Sequence, residues 1–163
     1  MEKSVRPEDC AAEPSMEELV LEQENRLYRV ALAILGNRAD AEDMVQETFV
    51  KYVEKRPAFA SPEHRTAWLV RVTVNHCKSR RRSAWWRRTV PLLDSCPADT
   101  PEEGRVMEAI MALPPKYRTV IHLFYYEGYS TAEIASLTGD KASTVRSLLT
   151  RARQKLRGLL EEE

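Results

Sequence analysis

Residues 130–156 read STAEIASLTGDKASTVRSLLTRARQKL. Ser130 followed three residues later by Glu133 is a capping box, which opens a helix. Ile134, Ala135 and Leu137 give that helix one apolar side, and Gly139 supplies the turn that ends it. A second helix begins at Ala142 or Ser143. Its apolar stripe is Val145, Leu148, Leu149, Ala152, Leu156 and Leu159, at helical spacing. A short helix, a glycine turn and a longer basic helix make a helix-turn-helix. Lys141, Arg146, Arg151, Arg153 and Lys155 fall off the stripe. Arg146 and Ser147 lie in the first turn, where such helices meet base edges, and an arginine there can grip guanine through two hydrogen bonds. Arg153 and Lys155 are better suited to phosphates, which position a protein without specifying sequence. The competing description is a plain helical hairpin with a solvated basic face. Turn, caps and charge sign agree better with DNA binding.

Upstream, Val106, Ile110 and Leu113 mark a helix broken at Pro114-Pro115. Tyr117, Val120, Ile121 and Phe124 mark a second one, closed by Gly128. Residues 89–104 carry three prolines and no period, so they read as a linker able to span roughly 50–55 Å when extended. Before them, Met16 to Leu35 repeats apolar residues at helical spacing and ends at Gly36-Asn37. With Asp40 as cap, a further helix holds Ala41, Met44, Val45, Thr48, Phe49, Tyr52 and Val53 on one side. Arg56-Pro57 stops it. A loop from Pro57 to Arg65 follows. A helix starting near Thr66 points Trp68, Leu69, Val72, Val74 and Cys77 inward and runs into the basic stretch CKSRRRSAWWRR, residues 77–88. Residues 1–15 read as a disordered tail. The expected organisation is all-α: the tail, a helical domain over 16–88, the linker, and a helix-turn-helix domain over 105–160.

The chain has 25 basic and 25 acidic residues, but they are segregated. Residues 64–93 hold eight basic residues and no acid, and residues 141–160 hold six and no acid. A solvated helix face normally mixes signs, so two long acid-free blocks indicate two footprints for a polyanion. Trp85 and Trp86 sit inside the first block. As helix neighbours they point about 100° apart, so they cannot both enter one core. Base stacking and stapling of the helix end both remain open for them.

Other function classes find little support. No apolar run approaches the ~20 residues of a membrane span, and no leader pattern is visible, so a cytoplasmic location is expected. Cys10, Cys77 and Cys96 show no CxxC pairing and read as free thiols. GxxxxGK[ST], GxSxG and HExxH are all missing, so no catalytic residue is assigned. His64, His76 and His122 are too scattered for a local metal pair. Asp43 and Glu47 share a helix face in DAEDMVQETF but lack the further oxygen ligands a divalent metal needs. That face is either solvated or partner-binding. No metal, cofactor or small-molecule substrate is expected.

Taken together, DAEDMVQETFVKYVEK, AWLVRVTVN, the basic run, the linker and LPPKYRTVIHLFYYEGYSTAEIASLTGDKASTVRSLLTRARQKL resemble the extracytoplasmic-function (group 4) sigma factors of bacterial RNA polymerase. The likeness covers about residues 16–160, with the motifs in family order and spacing. It implies a two-domain factor holding regions 2 and 4 only. It implies that Asp40, Asp43, Gln46 and Glu47 meet core polymerase. Phe59, Ser61 and His64 would lie in the loop that receives a flipped −10 base. Arg71, Asn75, Lys78, Arg80, Arg81 and Arg82 would contact −10 DNA. Lys141, Ser143, Thr144, Arg146, Ser147, Thr150, Arg151 and Arg153 would serve the −35 element. An anti-sigma factor is implied as a further partner, which could hold the chain at a membrane. Leu148 and Thr150 depart from residues common in the family, and the resemblance does not explain Trp85 and Trp86. The alternative is a stand-alone helix-turn-helix regulator using residues 16–88 for dimerisation, which would have no reason to carry DAEDMVQETF and AWLVRVTVN.

Overall fold

The computed structural model describes residues 13–83 and 98–162. The readings made for residues 1–12, for Trp85 and Trp86, for Cys10 and Cys96 and for most of the linker lie outside them. All regular structure among the described residues is helical. The helices are α1 (Met16–Leu35), α2 (Arg38–Lys55), α3 (Pro62–Arg82), α4 (Pro101–Ala112), α5 (Pro115–Ile121), α6 (Thr131–Thr138) and α7 (Ala142–Glu161), with a π-helical turn over His122–Tyr126 between α5 and α6.

Local chemistry explains most boundaries. Ser15 caps α1 through a capping box with Glu18, and Gly36 ends it in the left-handed region at φ 69°, where a residue without Cβ is unstrained. The cap of α2 is Asn37, not Asp40. The Asn37 side chain accepts the Asp40 N–H at 3.0 Å, so the helix starts three residues earlier than the sequence reading placed it. Its other end, Arg56, has φ 41°. Its N–H still donates to the Tyr52 carbonyl at 2.9 Å, and the following Pro57 disfavours continuing the right-handed helix through that position.

Helix α3 begins at Pro62 rather than near Thr66, so half of the expected loop is helical. Ser61 is its cap, accepting from the His64 N–H at 3.1 Å, and Pro62 occupies the first position, where its missing N–H costs nothing. Likewise α4 begins at Pro101, capped by Thr100, inside the stretch read as linker.

The three N-terminal helices pack on one another. Leu19, Leu27, Met44, Leu69, Val74 and Cys77 are among the side chains they bury almost completely. Two polar pairs lie inside this packing. Thr48 and Thr73 share a hydrogen bond of 3.0 Å while donating to, or within reach of, the Met44 and Leu69 carbonyls of their own helices. Gln23, also buried, donates to Thr66 at 3.0 Å. Buried polar groups are tolerated because each has a partner. Val53, expected on the apolar side of α2, is instead exposed.

In the C-terminal half α7 packs against α4, α5 and α6, burying Val145, Leu149 and Ala152, whereas Leu159 and Val106 stay exposed. The two halves are joined by a continuous apolar cluster, with α1 against α5 and α3 against α6.

Candidate nucleic-acid interface

The helix-turn-helix is built as its residues dictate. Ser130 and Glu133 form the reciprocal capping box, and Gly139 turns the chain at φ 77°. With Val145, Leu149 and Ala152 facing inward, Lys141, Ser143, Thr144, Arg146, Ser147, Thr150, Arg151 and Arg153 are all exposed. Lys141, at the cap position, makes no side-chain cap bond, and the first turn carries no acid. The leading N–H groups of α7 are therefore open to a phosphate. Leu148 is half-buried and lines the cleft between the two halves, which explains why a basic residue is not needed there. Thr150 turns its hydroxyl back to the Arg146 carbonyl at 3.0 Å.

Arg153 is held by a different helix. Its Nε donates to the Tyr125 hydroxyl at 2.6 Å, and its guanidinium lies 5.6 Å from the Phe124 and Tyr125 ring centres. Aromatic faces attract such a cation. Tyr125 belongs to the π-helical turn, so the turn aims an arginine on a different helix. That role has no local sequence signal, because 28 positions separate the two residues.

On the N-terminal half, the loop before α3 is organised around Phe59. Its ring stacks on Tyr52 at 6.3 Å and meets Trp68 and His64 edge-on at 5.9 and 5.4 Å. Arg65 lies over the same ring at 5.7 Å. Such a group offers flat faces on which a base can stack. Ser61 serves the helix cap, and His64 Nδ1 accepts the Ala60 N–H at 3.3 Å.

The basic end of α3 divides by direction. Asn75 and Arg82 are exposed. Arg80 turns back to α2, pairing with Asp40 at 2.9 Å and with Asp43 at 3.5 Å. Asp40 is consequently buried, while Asp43, Gln46 and Glu47 stay exposed on α2. Lys78 and Arg81 turn towards the C-terminal half. They line a cleft of about 140 Å³ with Lys116 and Asp140. Burial pulls the Lys78 ammonium below its ordinary pKa, Asp140 offsets part of this, and Arg82 and Arg81 add to it. Burial weighs in the same direction on Arg81, whose Nε is buried without a hydrogen-bond partner. Among the described residues no cluster of His, Cys, Asp and Glu could hold a metal ion, and no helix is long and apolar enough to cross a membrane.

A helix-turn-helix with an exposed basic recognition helix, and a second helix ending in a cationic run, define a DNA-binding protein with two separate footprints. Family comparison makes the class specific. Residues 19–87 match the family model described as Sigma-70 region 2, and residues 103–156 match that for Sigma-70, region 4. The ECF RNA polymerase sigma factor SigE of Mycolicibacterium smegmatis is 36% identical over 93% of this chain, which spans 64% of that relative's length. SigL of Mycobacterium tuberculosis, another ECF RNA polymerase sigma factor, is 35% identical over 83% of each chain. Among solved structures, CnrH in complex with the cytosolic domain of CnrY has TM-score 0.62 and 27% identity, covering 91% of this chain and 88% of that one. The sigma factor RpoE of Bartonella quintana, solved with the anti-sigma factor NepR, has TM-score 0.69 and 24% identity over 89% and 96%. The chain belongs to the extracytoplasmic-function sigma factors of the sigma-70 family.

Proposed function

We propose that this chain directs bacterial core RNA polymerase to specific promoters and aids initiation there, without catalysing a reaction itself. The observation that carries this reading is the pairing of an acid-free, fully exposed recognition face on α7 with a second cationic helix end on α3. One chain touching two promoter elements needs two such footprints. In this reading residues 16–88 engage polymerase and the −10 element, and residues 105–160 engage the −35 element.

On α2, the exposed Asp43, Gln46 and Glu47 face polymerase, and Asp40 supports them through Arg80. The aromatic group around Phe59 receives an unstacked base. Unstacking costs a few kcal/mol, offset by stacking and pocket contacts. Asn75 and Arg82 reach the −10 strand directly, and Arg71, which donates to the Ser136 hydroxyl of α6 at 3.0 Å, does so with Lys78 and Arg81 once freed from the C-terminal half. On α7, Arg146 and Ser147 read −35 bases while Lys141, Ser143, Thr144 and Arg151 hold phosphates. CnrH was solved with the cytosolic domain of a protein partner, and an inhibitory protein partner of that kind is proposed for this cytoplasmic chain too.

Run-off transcription with purified core polymerase on a promoter library tests the reading. Defined transcripts that require the chain are expected. No initiation from any promoter, with no binding to core polymerase, would overturn it.

A further inference from the structure

The cleft beside α3 gathers cations from two sides. Lys78 and Arg81 reach it from α3, Lys116 reaches it from the first turn of α5, and Asp140 is the one carboxylate among its lining side chains. Among the described residues no carboxylate forms an ion pair with any of the three cations. Burial is deep enough to pull the pKa of both Lys78 and Arg81 down. The Arg81 Nε is buried without a hydrogen-bond partner, a costly condition for a charged donor. The neutral polar groups of the lining are already engaged. Thr119 donates its hydroxyl to the Pro115 carbonyl at 2.7 Å, and Thr138 donates its own to the Ile134 carbonyl at 2.9 Å. The Thr138 carbonyl accepts from Lys78. An ammonium has three donors and a guanidinium five, so the three cations keep N–H groups that no carbonyl of the lining takes.

The wall of the cleft is fixed by a buried contact. Arg118 of α5, only 3% exposed, donates its Nε to the Ala33 carbonyl at 2.8 Å and its Nη2 to the Ile34 carbonyl at 3.2 Å. The last carbonyls of a helix have no donors within it, and Ile34 itself lines the cleft. Lys116 is thereby held opposite the cations of α3, and a site organised in advance binds more tightly than one that must be ordered. The volume of about 140 Å³ is room for about four waters. A single tetrahedral oxyanion, with four oxygens, matches it; a nucleotide base and sugar do not.

We propose that this cleft is a binding site for inorganic phosphate, held by Lys78, Arg81 and Lys116 and selected by Asp140. The phosphate oxygens accept from the spare N–H groups, and charge-assisted bonds of that kind are the strong ones. The phosphate proton sets the specificity. Near neutral pH the phosphate dianion keeps one hydroxyl, which donates to the Asp140 carboxylate. Sulfate has the same shape and charge but no proton to give, so it places oxygen lone pairs against that carboxylate. A site that rejects a ligand through an unpaired charge discriminates without adding contacts to the correct one. A phosphate monoester is disfavoured likewise, because its dianion carries no hydroxyl on phosphorus. The site does not depend on the promoter-directing reading; where that reading holds, phosphate competes with the −10 strand for Lys78 and Arg81.

Calorimetric titration of the full chain with inorganic phosphate near neutral pH, with chloride holding ionic strength constant, tests this. One phosphate should bind per chain, about tenfold more tightly than sulfate or glycerol phosphate, and it should raise the melting temperature in a saturable way. Lys78→Gln and Lys116→Gln, one from each side of the cleft, should each weaken phosphate binding about tenfold. Asp140→Asn should tighten sulfate binding about tenfold and abolish the preference for phosphate, a gain that a misfolded protein cannot produce. Equal affinity of the parent for phosphate and sulfate would overturn the proposal, as would no saturable effect of phosphate on either heat or melting. So would parental affinity in both lysine variants, or an Asp140→Asn protein that keeps the parental preference. All of these are read without polymerase or DNA, so failure of run-off transcription leaves them standing and their failure leaves the promoter-directing reading standing.

Discussion

His76 sits on α3 with its Nδ1 buried and without a hydrogen-bond partner. Burial lowers its pKa from 6.5; the Lys51 charge acts the same way, while Glu47 and the nearby Met44 backbone oppose it. The folded state thus binds the imidazole proton more weakly than the unfolded state. This contribution to stability is intact above pH 6.5 and is lost as pH falls through the lowered folded value. Urea midpoints should drop over that range, and His76→Gln should flatten the profile; an unchanged profile in the variant would remove His76 as the cause. Arg146 is a residue of the opposite kind, exposed and placed for a base. Arg146→Ala should weaken promoter use by about 1–3 kcal/mol in a −35-dependent way. Equal loss on intact and scrambled −35 elements, measured by run-off transcription, would contradict a base-reading role.

Among the elements, those set by local chemistry were legible. The capping box at Ser130, the glycine turn at Gly139 and the α7 stripe all lie where their residues require. The early start of α3 was legible in principle, since a serine, a proline and a glutamate in succession at 61–63 suit the cap and the first turn. A loop reading of that proline hid it. The π-helical turn was not legible, because His122 to Tyr126 keeps an ordinary helical pattern. Gly139 allows a direct test of the turn. No atom lies within 4 Å of a Cβ built there, so Gly139→Ala meets only the backbone cost of the left-handed region, about 1–2 kcal/mol. Thermal melting should fall accordingly, with −35 binding weakened; unchanged melting would mean the turn relaxes freely. Helix packing also protects Cys77, whose thiol pKa is pushed far up by burial. In a background lacking Cys10 and Cys96, alkylation of Cys77 should be negligible in the folded chain and rapid in urea. Comparable rates in both would show that α3 opens locally.

At the scale of the whole molecule, the sequence pattern shows two acid-free basic segments but not their relation in space. Arg118 lies within KYRTV, between Tyr117 and Val120, and nothing local marks it as a bond to carbonyls 84 and 85 positions away. The Arg80–Asp40 pair is hidden in the same way, by a separation of 40 residues. What chain length does determine is reach. Two half-chains of about 70 residues have radii of gyration near 11 Å each, which for a compact sphere is an outer radius of about 14 Å. Seated on elements about 25 base pairs, or about 85 Å, apart, they leave a gap of roughly 55 Å. The roughly 50–55 Å span of an extended 16-residue connection is just sufficient. Removing six residues between positions 84 and 97 would shorten it by about 20 Å. Such a chain should still bind core polymerase through α2, yet lose simultaneous use of both elements. Run-off transcription should then fall on promoters of ordinary spacing and recover on templates whose two elements are brought about six base pairs closer, as 20 Å of duplex requires. Equal activity on both spacings would show that the connection does not set the distance between the two contacts.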